Sequence, residues 1–303
     1  MPPEAAGIYD EEKYAKWLAY DKANGRIGSV SSSISIVISL AMLVMGWFGS
    51  IDSWLRQYVE HDIVLALAFF GVLGLGSSIL SLPFRIYSTF VIEEKFGFNK
   101  TTVKTFIIDM IKGALLSAAI GLPLGALIIW FYYELGDYFW ITAWVVMTIF
   151  SLFMTMFAAS WIMPLFNKFT PLEEGELRTA IEAYCNKVGF KLTNLFVMDG
   201  SKRSGKSNAF FSGLGPKKKI VLYDTLIEQM TTEEIVAVLA HEIGHYKKQH
   251  TRQSLILSIV QSGIMLFLLG LFLRIPEFSQ ALGAKQASFH VGIIAFGIMF
   301  SPI

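Results

Sequence analysis

Two histidines and a glutamate at a fixed spacing are the strongest chemical signal in the chain. The segment His241-Glu242-Ile243-Gly244-His245 has the pattern H-E-x-x-H. Imidazoles four residues apart lie on one face of a helix, where they can share a metal ion. The glutamate projects about 100° away around the helix, so it can act on a water molecule instead. The pattern predicts a zinc peptidase in which His241 and His245 bind one Zn²⁺ and Glu242 is the general base.

The third zinc ligand is harder to assign, because a catalytic zinc ion takes three protein ligands. On a continuous helix, His250 falls about 180° away from His241, so we expect it to face away from the metal. His290 opens an apolar run and is interpreted as a core or pore histidine. Glu277 is the only carboxylate after the motif, in a loop that the charge pattern places across the membrane. We therefore expect the third ligand beyond Ile303.

A second motif competes for the function. Residues 200–207 have the sequence GSKRSGKS, which matches the phosphate-binding pattern G-x-x-x-x-G-K-[ST]. A P-loop works only when a helix begins directly after it and points its N-terminus at the phosphate. The following residues 208–216 contain two glycines and a proline and cannot form a useful helix. We therefore predict a loop that leads into a strand, and no nucleotide site.

The single cysteine and the charge exclude other classes of site. Cys185 has no activating partner nearby in the sequence, so it is interpreted as structural rather than nucleophilic. One cysteine cannot form an intramolecular disulfide or a cysteine-rich zinc site. A net charge of +1 gives no argument for nucleic-acid binding.

The composition is that of a membrane protein. Hydrophobic residues make up 54% of the chain and charged residues 16%, against roughly 25% charged in soluble domains. A hydrocarbon core ~30 Å thick is spanned by ~20 apolar residues. Five runs approach that length, namely residues 30–49, 63–82, 113–133, 140–163 and 254–273. A sixth run, 289–303, is too short, so we expect the sequence to stop inside a membrane helix.

Basic residues indicate the orientation of these helices. Lysine and arginine are frequent before the first run and after the second. The segments 50–62 and 134–139 contain only one arginine and no lysine. The positive-inside rule then predicts that the N-terminus and the region after residue 163 lie in the cytosol. No secretory signal precedes the first run, so that run must also serve as the signal.

The only long polar stretch predicts an inserted α+β domain. We expect a helix over 172–188 and strands at 195–198, 209–211 and 220–223. Thr231 and Glu234 form a capping box that starts the motif-bearing helix. The predicted organisation is an arm (1–29), four membrane helices (30–163), a zinc metalloprotease domain (164–253) and two further membrane helices, the last incomplete (254–303).

Six segments of the chain resemble the type I CAAX prenyl endopeptidases, integral-membrane zinc metalloproteases. They are EEKFGFNK (93–100), PLFNKFTPL (164–172), GSKRS (200–204), SNAFFSG (207–213), IVLYDTL (220–226) and VLAHEIGH (238–245). The resemblance runs from about residue 11 to the end. The family usually has one more membrane helix upstream and a glutamate zinc ligand downstream. We therefore expect this chain to be truncated at both ends and to bind zinc weakly.

The resemblance implies a mainly α, polytopic helical barrel around a chamber, with an inserted α+β zincin-type domain at its cytosolic end. It implies removal of the last three residues of prenylated CAAX proteins, and a second upstream cleavage in some members. Asn208, Ala209 and Phe210 would belong to the edge strand that pairs with the substrate. The implied partners are prenylated substrates and the lipid bilayer, without nucleic acid or nucleotide. The implied location is the endoplasmic reticulum membrane of a eukaryote or the cytoplasmic membrane of a bacterium.

Two other functions stay open at this point. A membrane zinc protease that degrades unprenylated proteins for quality control would carry the same H-E-x-x-H motif. A catalytically incomplete membrane scaffold would carry the motif without a full set of ligands.

Overall fold

A computed structural model describes residues 10–190, 194–212 and 219–300. The chain divides into two compact units. The first comprises Met1–Asn99, Gly113–Trp140 and Leu266–Ile303. The second comprises Lys100–Lys112 and Ile141–Met265, and it contains the H-E-x-x-H motif.

Helices account for most of the described chain. In chain order they are α1 (Glu11–Val44), α2 (Trp47–Leu55), α3 (Asp62–Tyr87), α4 (Val103–Leu135), α5 (Phe139–Phe157), α6 (Glu176–Lys187), α7 (Asp224–Gln229), α8 (Thr232–Lys247), α9 (His250–Phe272), α10 (Pro276–Ala281) and α11 (Phe289–Phe300). Four stretches within the described residues are long and apolar enough to cross a membrane, namely Glu11–Val44, Asp62–Glu93, Val103–Leu165 and His250–Phe272. The third stretch holds both α4 and α5, so the five predicted runs correspond to five helices.

The first helix differs from the predicted run at both ends. The side chain of Asp10 caps α1 by accepting a hydrogen bond from the Lys13 N–H at 2.9 Å, so the helix begins well before residue 30. It ends at Val44, and Gly46 adopts a left-handed conformation with φ of 64° that redirects the chain into α2. Hydropathy marks where a helix can enter a membrane. The helix itself continues until a cap or a turn ends it.

An aromatic clamp joins α1 to the end of α3 in the first unit. The hydroxyl of Tyr20 donates to the Glu93 carboxylate, at the end of a π-helical continuation of α3. The Tyr20 ring lies edge-on to Phe96 at 5.3 Å and to Phe98 at 5.0 Å. Edge-on aromatic pairs stabilise beyond their buried area, so the EEKFGFNK segment holds these two helices together.

A buried polar cluster ties α2 to α11 in the same unit. His290 Nε2 lies 2.7 Å from Asp52 Oδ1, and both side chains are buried. Arg56 donates its Nε–H to both oxygens of the Asp52 carboxylate, at 3.0 and 3.1 Å. The ring of Phe69 from α3 packs 4.6 Å from the imidazole. His290 is therefore a core histidine whose Nε2 is already bound to a carboxylate.

The second unit is built on a four-stranded sheet. Its strands are β1 (Phe169–Pro171), β2 (Leu195–Met198), β3 (Ala209–Ser212) and β4 (Lys219–Tyr223). Their order is β1-β2-β4-β3, with β2 parallel to β4 and the outer pairs antiparallel. The three predicted strands are confirmed, and β1 was not predicted.

The start of α6 was predicted four residues too early. The N–H of Leu172 donates to the Leu195 carbonyl at 3.1 Å, extending the β1–β2 pairing. The backbone at Leu172 is therefore engaged by the sheet, and α6 begins only at Glu176. A non-local hydrogen bond of this kind leaves no trace in the local sequence pattern.

Candidate metal centre

The capping box positions the helix that carries the motif. The backbone N–H of Thr231 donates to the Glu234 carboxylate at 2.8 Å. The N–H of Glu234 donates in return to the Thr231 hydroxyl at 3.3 Å. Two donors at the helix start are thereby satisfied, and α8 begins at Thr232, which confirms the predicted start.

A buried stripe fixes the rotation of α8 about its axis. Ile235, Leu239 and Ile243 are each at most 2% exposed and belong to a core shared with α6 and the sheet. These residues recur every four positions, so they form one helix face. His241 and His245 lie on an exposed face of the same helix, and Glu242 is half-buried between the two faces.

The two histidines converge as metal ligands would. Their Nε2 atoms lie 3.1 Å apart, with ring centroids 4.7 Å apart. Two nitrogens at this separation, each about 2.0–2.1 Å from one zinc ion, subtend about 100° at the metal, which is close to tetrahedral. The donor pair therefore fits zinc. Among the described residues, no group of three histidine, cysteine or acidic side chains is arranged to hold a metal ion.

His250 lies beside the motif, because the chain does not form the continuous helix on which its position was predicted. α8 ends at Lys247 and α9 begins at His250, so the two helices are not continuous. Between them Gln249 adopts φ of 57°, a left-handed conformation that glycine or asparagine usually provides. The turn brings His250 Nδ1 to 2.9 Å from His245 Nδ1. The sequence carried no glycine or proline signal for this break.

Strand β3 lies at the edge of the sheet and packs against α8. Tyr223 N–H donates to the Asn208 carbonyl at 3.0 Å, so these two residues form a hydrogen-bonded pair. Such pairs recur at every second residue of an antiparallel ladder, which places Phe210 in the next one. The backbone groups of Ala209 and Phe211 therefore face the free edge. The sequence prediction missed Phe211, because the register of the pairing with β4 decides which residues of β3 turn their backbone groups toward the free edge.

Asn208 partly covers this free edge. Its side-chain oxygen accepts a hydrogen bond from the Ala209 N–H at 2.8 Å. Of the two outward N–H groups, the one on Ala209 is thus already engaged. Phe211 provides the outward donor at which an extended peptide would add to β3.

The phosphate-loop look-alike forms a brace instead. Gly200–Lys202 is a 3-10 turn, and the Asp224 carboxylate accepts from the Ser201 N–H at 2.8 Å. The guanidinium of Arg203 pairs with the Asp109 carboxylate at 2.6 Å and also donates to the Phe166 carbonyl at 2.9 Å. A strand follows the loop, as predicted, so no helix N-terminus stands where a P-loop needs one.

Cys185 lies in the core of the second unit, 1% exposed. Burial raises the pKa of its thiol above the ordinary value, and the nearby Glu182 carboxylate raises it further. A nucleophilic cysteine needs a lowered pKa. The environment of Cys185 therefore agrees with the structural interpretation.

Comparison with known proteins decides the family. A model of the CAAX prenyl protease N-terminal region, with five membrane helices, matches residues 1–168. The model of peptidase family M48 matches residues 171–301. This chain belongs to the CAAX prenyl proteases of peptidase family M48. It is therefore a multi-pass membrane protein of a metallopeptidase family, with the predicted mainly helical fold and inserted α+β domain.

The similar proteins cover this chain over most or all of its length. The CAAX prenyl protease 1 homolog of Arabidopsis thaliana is 44% identical over 264 residues, which cover 84% of this chain and 62% of that protein. CAAX prenyl protease 1 of Saccharomyces cerevisiae is 37% identical, covering 100% of this chain and 73% of that protein. The crystal structure of S. mikatae Ste24p matches with a TM-score of 0.92 and 35% identity, covering 100% of this chain and 75% of that one. The chain thus spans between 62% and 75% of the length of these M48 relatives.

Proposed function

We propose that this M48 peptidase is a zinc-dependent endopeptidase that removes the last three residues of C-terminally prenylated CAAX proteins. The observation that carries the proposal is the packing of the edge strand β3 against α8, the helix that presents His241, Glu242 and His245. The names of the relatives, CAAX prenyl protease 1, supply the substrate class. A second, upstream cleavage of the same substrates is part of the proposal.

One Zn²⁺ per chain is the proposed cofactor, held by His241 and His245 through their Nε2 atoms. When bound, zinc polarises a peptide carbonyl and lowers the pKa of a coordinated water. Glu242 then takes a proton from the attacking water and delivers it to the leaving amine. The third protein ligand is not among the described residues near the pair, and a carboxylate on a segment outside them would complete the site.

β3 holds the substrate in an extended conformation. Main-chain hydrogen bonds to the outward-facing groups of Ala209 and Phe211 do not depend on the substrate's side chains. This suits an enzyme that must accept CAAX sequences of different composition. Asn208 and Phe210 are proposed to support the edge, through the cap on Ala209 and the ladder with β4.

The proposed location follows from charge and family. Lysine and arginine are concentrated in the N-terminal part of α1 and from the end of α3 to the start of α4, which favours a cytosolic zinc site. The similar CAAX prenyl proteases are eukaryotic, which favours the endoplasmic reticulum membrane. Prenylated substrates would reach such a site from the cytosolic leaflet.

Cleavage of paired peptides tests the proposed activity. The protein, purified in lipid nanodiscs with zinc, is given a farnesylated CAAX peptide or the same peptide without the farnesyl group. We expect release of the C-terminal tripeptide, detected by mass spectrometry, only from the farnesylated peptide. Glu242→Gln keeps the shape of the side chain but not its basicity, and should lower the rate about 10²–10⁴-fold.

The other outcomes identify the rival functions. Equal cleavage of both peptides would favour a quality-control protease. Zinc binding without cleavage of either peptide would favour a membrane scaffold.

A further inference from the structure

The imidazole of His245 is engaged on both of its nitrogens. Its Nε2 faces His241 Nε2 at 3.1 Å, where the metal would lie. Its Nδ1 lies 2.9 Å from His250 Nδ1, with the two ring centroids 4.9 Å apart and the planes at 77°. His250 therefore contacts the side of the ring opposite the metal position. In this arrangement it cannot bind the same ion as His241.

The turn that places His250 is held by several contacts. The Lys247 ammonium donates to the Val188 carbonyl at the end of α6. Lys248 N–H donates to the Gly244 carbonyl at 3.0 Å, and the Gln249 side chain accepts from Arg252 at 3.2 Å. A non-glycine residue in the left-handed region costs roughly 1 kcal/mol or more, and it persists only where its surroundings determine it. The position of His250 is thus built into the junction of α8 and α9.

The short contact between two imidazole nitrogens constrains where the protons lie. A hydrogen bond between them requires one nitrogen to carry a proton and the other to accept it. A neutral imidazole that offers Nε2 to a metal carries its proton on Nδ1. His245 is then the donor, and His250 accepts through an unprotonated Nδ1. This arrangement selects the metal-binding form of His245 and also fixes the direction of its ring.

We propose that His250 is a positioning residue for the metal ligand His245. The inference rests on the proposed function, because it requires His241 and His245 to be metal ligands. Partners of this kind hold a ligand's orientation and basicity, and their loss typically weakens metal binding 10–100-fold. His250 itself touches neither the metal nor the substrate.

Zinc affinity of the full chain in detergent micelles tests this role. Metal-free protein is titrated with Zn²⁺ in competition with a chromophoric chelator. His250→Leu should weaken zinc binding about 10–100-fold. His250→Asn places an amide oxygen where Nδ1 was, so it should restore affinity close to that of the unmodified chain. His250→Gln carries its amide one bond farther out and should behave like the leucine variant.

Two controls separate positioning from folding. His61→Leu removes a histidine that caps α3 in the other unit, and it should leave zinc affinity unchanged. The thermal midpoint of each metal-free variant reports whether the fold is intact. If the midpoint falls only in His250→Leu, the weaker zinc binding of that variant reflects a damaged fold. The comparison of zinc affinity between His250→Asn and His250→Gln then tests the positioning role.

The remaining outcomes contradict the inference in distinguishable ways. Equal affinity of the leucine variant and the unmodified chain would show that His250 does not support His245. Equal weakening by asparagine and glutamine would exclude the acceptor role. Loss as complete as in His241→Ala would make His250 a direct ligand. Failure of the unmodified chain itself to bind zinc would overturn the proposed metal site, and the positioning role with it.

Discussion

At the scale of single residues, the candidate site depends on which face of a helix each side chain occupies. The buried stripe of Ile235, Leu239 and Ile243 forces His241 and His245 outward. The same physical rule places the Cys185 side chain in the core, since its helix α6 turns that side chain inward. Polarity and burial thus separate the candidate metal-binding side chains from the core side chains in this M48 peptidase.

The thiol of Cys185 should be protected against alkylation. Burial raises its pKa, so the folded state disfavours the thiolate. Because the thiol has a higher pKa in the folded state, its contribution to stability is fully present at pH values below its unfolded pKa of about 8.5. This contribution is lost as the pH rises through the folded pKa. Iodoacetamide labelling at pH 8, followed by mass spectrometry, should be slow in folded protein and fast in denaturant.

A surface thiol on the same helix provides the control for this labelling. Thr179→Cys in a Cys185→Ala background places a thiol at an exposed position of α6 and should label rapidly without denaturant. Rapid labelling of Cys185 in the folded protein would contradict its buried position.

At the scale of elements, the proposed function depends on the packing of α8 against the edge strand β3. In the proposed mechanism, the helix supplies the metal ligands and the base, and the strand supplies backbone groups with which an extended substrate pairs. The loop from Gly200 to Lys206 braces this arrangement. Arg203 forms an ion pair with Asp109, and the Ser201 N–H donates a hydrogen bond to the Asp224 carboxylate. A motif that matches a phosphate loop thereby acquires a structural role from its neighbours.

Removing the outward N–H of β3 should weaken substrate binding. Phe211→Pro deletes that donor without touching the ladder to β4, because the hydrogen-bonded pairs include Phe210 but not Phe211. A hydrogen bond contributes about 0.5–1.5 kcal/mol, so kcat/KM for the farnesylated peptide should fall about 2- to 12-fold. Steady-state kinetics on this variant and on Phe211→Ala measures the change in kcat/KM.

Phe211→Ala is the matched variant for this prediction. It also loses the edge-on contact of the Phe211 ring with Phe190, at 5.7 Å, but it keeps the N–H. The alanine variant should therefore retain more activity than the proline variant. Equal loss in both would mean that the ring, and not the backbone donor, supports the substrate.

At the scale of the whole molecule, a buried polar contact in the first unit joins residues that are far apart in the chain. Asp52 and His290 are 238 residues apart in sequence and form a pair with less than 2% exposure. An exposed ion pair between Arg274 and Asp137 lies in the same unit, with side chains 52% and 80% exposed. The buried pair should matter far more to stability, because an unpaired buried charge is costly.

Asp52→Ala should destabilise the protein strongly, by about 3–5 kcal/mol, since it leaves Arg56 and His290 without their shared acceptor. Asp137→Ala, the same change at the exposed pair, should cost about 1 kcal/mol or less. Thermal unfolding in detergent micelles compares the two variants. Similar midpoints for both would contradict a stabilising role of the buried cluster.

The same cluster predicts a pH dependence. Burial opposes ionisation of Asp52, but hydrogen bonds from His290 and Arg56 outweigh it and lower the pKa of the carboxyl. A lowered folded pKa gives stability that is present above about pH 4, the unfolded value, and is lost as the pH falls through the folded pKa. The thermal midpoint of the unmodified protein should drop more steeply below pH 4 than that of Asp52→Asn, and parallel curves would contradict this.

Features that depend on near neighbours in the chain were determined by the sequence itself. The H-E-x-x-H spacing, the Thr231–Glu234 capping box, three strands and the apolar helices follow from periodicities of 3.6 and 2 and from local side-chain hydrogen bonds. The family resemblance was equally local, because it was carried by short motifs. These features agree with the structure and with the family comparisons.

Only the tertiary structure decided the features that depend on distant pairing. β1 exists because it pairs with β2, and Phe211 faces the edge because of its register with β4. The left-handed turn at Gln249, held by contacts to neighbouring residues and to α6, brings His250 against His245. Such contacts join residues whose separation in the chain does not fix their distance in space. Local propensity therefore carries no record of them, and the fold as a whole determines which of them form.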